Sequence, residues 1–235
     1  MGTIAEQVDT GATTRVASGA IPSTSPRTIG EAWPIFLRHA SPLLLLTVTI
    51  PAIVGRIALA DWTRWDVVIA IAIVALWPVQ EWLIHVFLLH AKPIKVGGRT
   101  LDLIIARMHR AHHRDPWNYR ILFIPLHAAV GVLPVEVLLW FNFMPTRALA
   151  MTGIAVSLAL TVHYEWIHFL IHTRVTPSSR LYQRLWRNHR LHHFKNERYW
   201  FGVTRLEGDW VLRTAPPANA VPISATARTL GIGSF

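Results

Sequence analysis

NHRLHHFKNERYW, residues 188–200, puts three histidines in five positions, and HRAHH at 109–113 has the same shape as HRLHH at 189–193. Positions i, i+3 and i+4 of a helix lie on one face. Residues 109, 112 and 113, and likewise 189, 192 and 193, would each present three imidazoles on one side of a helix. One such box in a basic loop is a weak signal, compatible with a lipid-headgroup patch. The repeat carries the information, and what surrounds it decides the fold.

The surroundings are apolar. Of 235 residues, 52% are hydrophobic and 15% charged, against about 25% charged in a soluble domain. Mean hydropathy is +0.34. The absence of cysteine excludes disulfides, a thiolate metal site and a cysteine nucleophile. Four apolar runs follow one another: Leu43–Ala60, Val67–Leu89, Ile121–Phe141 and Leu149–Ile171. Each meets the roughly 18–25 residues a helix needs to cross a bilayer. Pro51 and Arg56 make the first the weakest. Short links join runs one to two and three to four, which makes two antiparallel hairpins. The predicted fold class is all-α and integral to a membrane: four transmembrane helices in two hairpins, with a helical cap holding a dimetal site. Residues 1–32, rich in Thr, Ser, Gly, Ala and Pro, are expected to be disordered, and no apolar core near the start marks a secretory signal. Residues 33–214 form the membrane-embedded domain, and 215–235 are expected to be a loosely ordered tail.

The net charge of +10 is unevenly placed. The outer turns and run ends hold Arg56, Arg64 and Arg147, whereas 90–120 holds seven Lys and Arg, 173–235 ten, and the N-terminus three. The positive-inside rule puts both termini and the middle segment in the cytoplasm. That distribution accounts for the charge, and no nucleic-acid partner is expected. The expected location is a bacterial inner membrane.

Ten of the thirteen histidines form four boxes: His85 and His90; His109, His112 and His113; His168 and His172; His189, His192 and His193. All lie at or just beyond one membrane face in this topology. His39, His127 and His163 are read as ordinary polar residues. His85 and His90 are i, i+5, about 140° apart on an ideal helix; they serve two neighbouring ions or sit on a distorted helix end. Ten imidazoles are too many for one ion and suit two, supplied by two similar halves. Imidazole suits Zn, Cu, Fe and Ni, and spacing does not choose among them.

The order and content of the boxes resemble the fatty acid hydroxylase/sterol desaturase superfamily of integral membrane oxygenases. EWLIHVFLLH (81–90), HRAHHRDPWN (109–118), YEWIHFLIH (164–172) and HHFKNERYWFGVTRLEGDWVLRT (192–214) are similar to its successive boxes and its trailing Gly-Val…Asp…Thr signature. The likeness covers about residues 40–214, and the compact layout is closest to the fatty acid or sphingolipid 2-hydroxylases. It implies an oxidoreductase with two Fe ions held by the ten histidines, O2 as co-substrate and a lipid C–H bond as target. Zn2+ in such a site would be inactive, having no redox chemistry. Eukaryotic members often carry a cytochrome b5 domain; the 42 residues before the first run are too short for one. Electrons would come from a separate protein of ferredoxin or cytochrome b5 type.

Metal-bound imidazoles usually donate their second N–H to a carboxylate or carbonyl. Glu81, Asp115, Glu165 and Asp209 are candidates, with ordinary ion pairs to nearby arginines as the alternative. Trp117, Tyr199, Trp200 and Phe201 line a substrate entrance or sit at the membrane interface. Other readings stay open: a carotenoid or sterol substrate, desaturation at the same site, or a non-enzymatic membrane zinc-binding protein.

Overall fold

The computed structural model describes residues 21–232. Four of its helices are long and apolar enough to cross a membrane. They are α2 (Ala40–Leu59), α3 (Arg64–Leu83) with a π-helical turn (Ile84–Leu89), α5 (Leu126–Phe143) and α6 (Arg147–Ile171). A short helix, α1 (Ile29–Phe36), precedes them. Between α3 and α5 lie a hairpin of β1 (Ile94–Val96) and β2 (Arg99–Leu101) and helix α4 (Ile104–Arg114). After α6 come α7 (Arg180–Phe194) and α8 (Glu207–Val211). The fold is the predicted all-helical membrane architecture with a small sheet added. Its turn is Gly97-Gly98, both at positive φ, the pairing a two-residue hairpin favours.

Helix starts follow local chemistry. The Thr63 hydroxyl caps α3 while the Asp66 carboxylate accepts from the Thr63 N–H at 2.8 Å, a capping box. Thr146 caps α6 and Ser179 caps α7 through their hydroxyls. The third run starts later than its apolar content predicts. Pro125 disfavours helical backbone at Ile124, and α5 begins at Leu126. The far ends of α2, α3 and α6 are locked by the buried Arg56, which donates to Asp66 Oδ1 at 2.7 Å and Thr152 Oγ1 at 2.7 Å. Helix α6 is the central one: 44% of its apolar window is buried, against 6% for α5.

Both termini differ from expectation where they are described. Residues 1–20 of the N-terminal segment lie outside the described residues. Residues 21–32, expected to be disordered, are tied down: Ser25 shares a 2.6 Å hydrogen bond with Tyr119, the Pro26 carbonyl accepts from the Arg174 N–H, and α1 is already under way. The tail, expected to be loose, packs onto the cap, with Val221, Ala227 and Leu230 buried. Its backbone carbonyls and amides find partners there, which a reading of side-chain periodicity does not detect.

Candidate metal centre

Four helices meet at one end of the membrane domain. The C-terminal ends of α3 and α6 bring in His85, His90, His168 and His172. Helices α4 and α7 lay their boxes across them. The ten histidines separate into two groups of five: His85, His90, His109, His113 and His192; and His112, His168, His172, His189 and His193. Within each group one nitrogen per ring lies within 4.8 Å of the others. All are buried except the partly exposed His90.

The grouping follows a rule. In each H-x2-H-H box the first and third histidines, i and i+4, serve the group of their own half. The middle histidine crosses: His112 joins the second half's group, and His192 the first's. The i, i+5 pair reaches one site because residues 84–89 form a π-helix, in which the His90 N–H donates to the His85 carbonyl at 3.1 Å. The i→i+5 turn is wider than an α turn and brings position 90 back over 85.

Burial, reinforced by neighbouring imidazoles, holds His90, His109, His112, His172, His189, His192 and His193 well below the usual histidine range. His113 is lowered to about 3, again mainly by burial. These rings are neutral at neutral pH, each with a lone pair to offer. His189 Nε2 lies 3.1 Å from His168 Nε2, 3.1 Å from His172 Nε2 and 3.0 Å from His193 Nε2. One ring proton cannot satisfy three such contacts, so lone pairs converge. In the other group His109 Nε2 is 3.2 Å from the Nε2 atoms of both His85 and His113. Two nitrogens each about 2.1 Å from a shared ion are about 3.0–3.4 Å apart for angles between 90° and tetrahedral. The donor set and its spacing fit one cation per group.

Outer nitrogens fix some rings. His85 Nδ1 donates to the Phe201 carbonyl at 2.7 Å, His113 Nδ1 to Ala227 at 2.8 Å and His192 Nδ1 to Tyr199 at 2.8 Å. A proton on Nδ1 leaves the Nε2 lone pair facing the group.

The carboxylates expected as acceptors are not the ones used. Glu81 accepts from the Val203 and Thr204 amides and the Thr204 hydroxyl. Asp209 accepts from the Phe201 amide at 2.9 Å, the Gly202 amide at 2.8 Å and the Thr214 hydroxyl at 2.6 Å. Glu165 accepts from Ser41 at 2.9 Å and the Ile124 amide at 2.7 Å. Asp115 ends α4 and faces Arg228. Backbone carbonyls reach the rings first; Glu81 and Asp209 hold the loop that carries those of Tyr199 and Phe201. The Gly-Val…Asp…Thr signature is this loop. A Cβ on Gly202 would sit 2.1 Å from the Arg205 carbonyl, and Thr214 links Asp209 to Trp82.

An apolar cavity of about 570 Å³ opens between α2, α3, α5 and α6. Its walls at Leu89, Ile105, Ile124 and Tyr164 are shared with a small pocket that touches His109, His112 and His168. Trp117, Trp200, Phe201 and Tyr199, expected to line an entrance or to sit at the membrane interface, line neither space. Trp117 stacks on Phe194, Trp200 donates to the Pro216 carbonyl, and the Phe201 ring lies against His85 and His192. Tyr164, not singled out from sequence, is one helical turn before His168 on the same face; its i, i+4 spacing was the available signal.

The sequence profile of the fatty acid hydroxylase family matches residues 70–214. Fatty acid 2-hydroxylase of Rattus norvegicus is 29% identical over 148 residues, 63% of this chain and 39% of the rat protein. Dihydroceramide fatty acyl 2-hydroxylase FAH1 of Arabidopsis thaliana is 26% identical over 182 residues, 77% of this chain and 74% of the plant protein. Among solved structures, full-length scs7p, with only its hydroxylase domain visible, superposes with a TM-score of 0.64 at 25% identity, covering 78% of this chain and 68% of that one. All ten histidines fall inside the matched stretch, and the chain belongs to the fatty acid hydroxylase family.

Proposed function

We propose that the protein is a membrane-bound, O2-dependent lipid hydroxylase acting on a fatty acyl or sphingolipid-type substrate. The observation that carries this reading is that an apolar cavity shares its walls with a small pocket lined by His109, His112 and His168, from both histidine groups. The overall change is R–H + O2 + 2e⁻ + 2H⁺ → R–OH + H2O. Electrons would come from a separate ferredoxin- or cytochrome b5-type protein.

His85, His90, His109, His113 and His192 would hold one iron ion, and His112, His168, His172, His189 and His193 the other. The iron pair would supply the electron exchange with O2 that C–H hydroxylation requires. The chain's own residues do the rest. The walls from α3, α5 and α6 take an acyl chain out of the bilayer and exclude water from it. Leu89, Ile105, Ile124 and Tyr164 narrow the passage, so that a reacting carbon arrives between the two groups. Burial keeps the imidazoles neutral, the form that would bind metal rather than protons. The basic cap would face the cytoplasm, here of a bacterial inner membrane, and the separate electron donor would approach it from that side.

The test is lipid mass spectrometry of membranes expressing wild type or the His192→Ala, His193→Ala double variant. A lipid gaining one oxygen only with wild type supports the proposal and identifies the substrate. A desaturated lipid, an oxidised carotenoid or sterol, or tight zinc with no change in any lipid would each replace it.

A further inference from the structure

The tail 215–232 lies beyond the stretch that the family profile matches, yet it touches the centre. The Ala227 carbonyl is the acceptor for His113 Nδ1 at 2.8 Å. The next residue, Arg228, donates through Nε to the His113 carbonyl at 2.6 Å and through Nη2 to the Arg114 carbonyl. Those carbonyls belong to the last turn of α4, where no intrahelical N–H remains to meet them. Arg228 therefore caps the first half's box helix. Its guanidinium also lies 5.1 Å from the Phe194 ring centroid, at the end of the second half's box helix. The same tail also grips the residues that follow α7. The Ser224 amide donates to the Lys195 carbonyl at 2.7 Å, Asn196 Nδ2 to the Pro222 carbonyl at 3.2 Å and Thr226 Oγ1 to Glu197 at 2.5 Å.

From these contacts we infer that residues 221–232 are a positioning strap: they join the C-terminal ends of α4 and α7 and set the ring of His113, so that the first histidine group binds its metal tightly. The inference rests on the two-metal reading above. The tail's ring contact falls on one group. Of the second group, His112, His189 and His193 share the strapped helices and His168 and His172 come from α6, but no tail atom is hydrogen-bonded to any of its five rings among the described residues.

The experiment measures Co2+ binding, by competition with a chelator, in two backgrounds of the full chain. One carries His168→Ala and His172→Ala and retains the first group; the other carries His85→Ala and His90→Ala and retains the second. Deleting residues 221–235 is expected to weaken Co2+ binding about 10–100-fold in the first background, the usual cost of losing an outer partner of a ligand, and to weaken the second distinctly less. Arg228→Ala is read the same way and serves if the deletion does not fold; Arg228→Lys, which keeps a cationic donor, should restore part of the loss. Equal losses in both backgrounds, or no loss in either, overturn the strap. Failure of the undeleted wild-type chain to bind two Co2+ would instead overturn the two-metal reading.

Discussion

The two histidine groups have the same ligand count and are built in different ways. In the first, three rings are tied from outside: His85, His113 and His192 each donate to a backbone carbonyl, from two irregular segments. In the second, the outer nitrogens of His112, His172, His189 and His193 meet no partner among the described residues. Its ring positions come from helix geometry, with the i, i+4 pairs 168/172 and 189/193 facing each other across α6 and α7. A tied ring has its tautomer set before an ion arrives, whereas a free one must be ordered by the ion. Pre-organisation of that kind lowers the cost of binding, so the first group should hold the tighter ion.

Removing a ligand gives the largest effect and asks whether both groups are needed. His109 and His168 border the same small pocket from opposite groups. Each →Ala variant should lower hydroxylated lipid by more than about 100-fold, above the range for outer-shell losses. Metal analysis should show one ion kept in each case. If either variant retained near wild-type product, the centre would not be a joint one.

Graded chelation addresses the comparison itself. Two steps of ion loss are expected, separated by about 10–100-fold in chelator concentration, with the second group emptying first. The His168→Ala, His172→Ala variant should show only the later step. Full removal should also lower the thermal midpoint, since a ligand present at 100 times its Kd stabilises the folded state by about 2.7 kcal/mol. A single step at one concentration would mean that the carbonyl contacts do not distinguish the groups.

Much of this was legible in the sequence. Apolar length gave the spanning helices, and repeated spacing gave the ten histidines, because helix rise and periodicity are fixed by the backbone. The crossing of His112 and His192 was not legible. Positions i, i+3 and i+4 look like one tripod in a sequence, and only the packing of two box helices shows that the middle ring faces the other site. The π turn at 84–89 was foreseen only as one of two ways to reconcile His85 with His90. The ring acceptors are not legible, because proximity in sequence does not show which acceptor reaches a ring. Glu81 and Asp209 are occupied with loop amides, and the ring acceptors are main-chain atoms of Tyr199, Phe201 and Ala227. Backbone acceptors have no residue signature, and for the same reason the tail looked loose.

Asp209→Asn tests the loop that supports the first group. The carboxylate uses both oxygens for the Phe201 and Gly202 amides and the Thr214 hydroxyl, and it is fully buried. An amide keeps one oxygen acceptor and turns an NH2 toward a backbone N–H. One donor is then left buried without a partner, which costs about 1–3 kcal/mol. The loop carries the acceptors for His85 and His192, so the tighter ion should weaken while the second group's ion is unaffected. Thermal unfolding and Co2+ competition measure the two effects separately. Equal weakening of both ions would show that the loop supports the whole cap rather than one group.

Glu165→Gln is the smallest change and probes the second group from the membrane side. Glu165 lies one turn before His168 on α6 and ties the Ile124 amide and the Ser41 hydroxyl to that helix. Gln keeps an oxygen that accepts at the same place, and Glu165 Oε2 has no partner among the described residues. The substitution therefore keeps both hydrogen bonds and puts a buried NH2 where Oε2 meets no partner. The expected loss is about 1 kcal/mol, the low end of the cost of a buried donor left unpaired, read as a small fall in thermal midpoint with both ions retained. The α6 backbone that carries His168 and His172 would stay in place, because the central helix is held along its length by packing rather than by this carboxylate. Loss of the second ion in Glu165→Gln would show the reverse: that the free rings of the second group depend on a carboxylate that touches none of them.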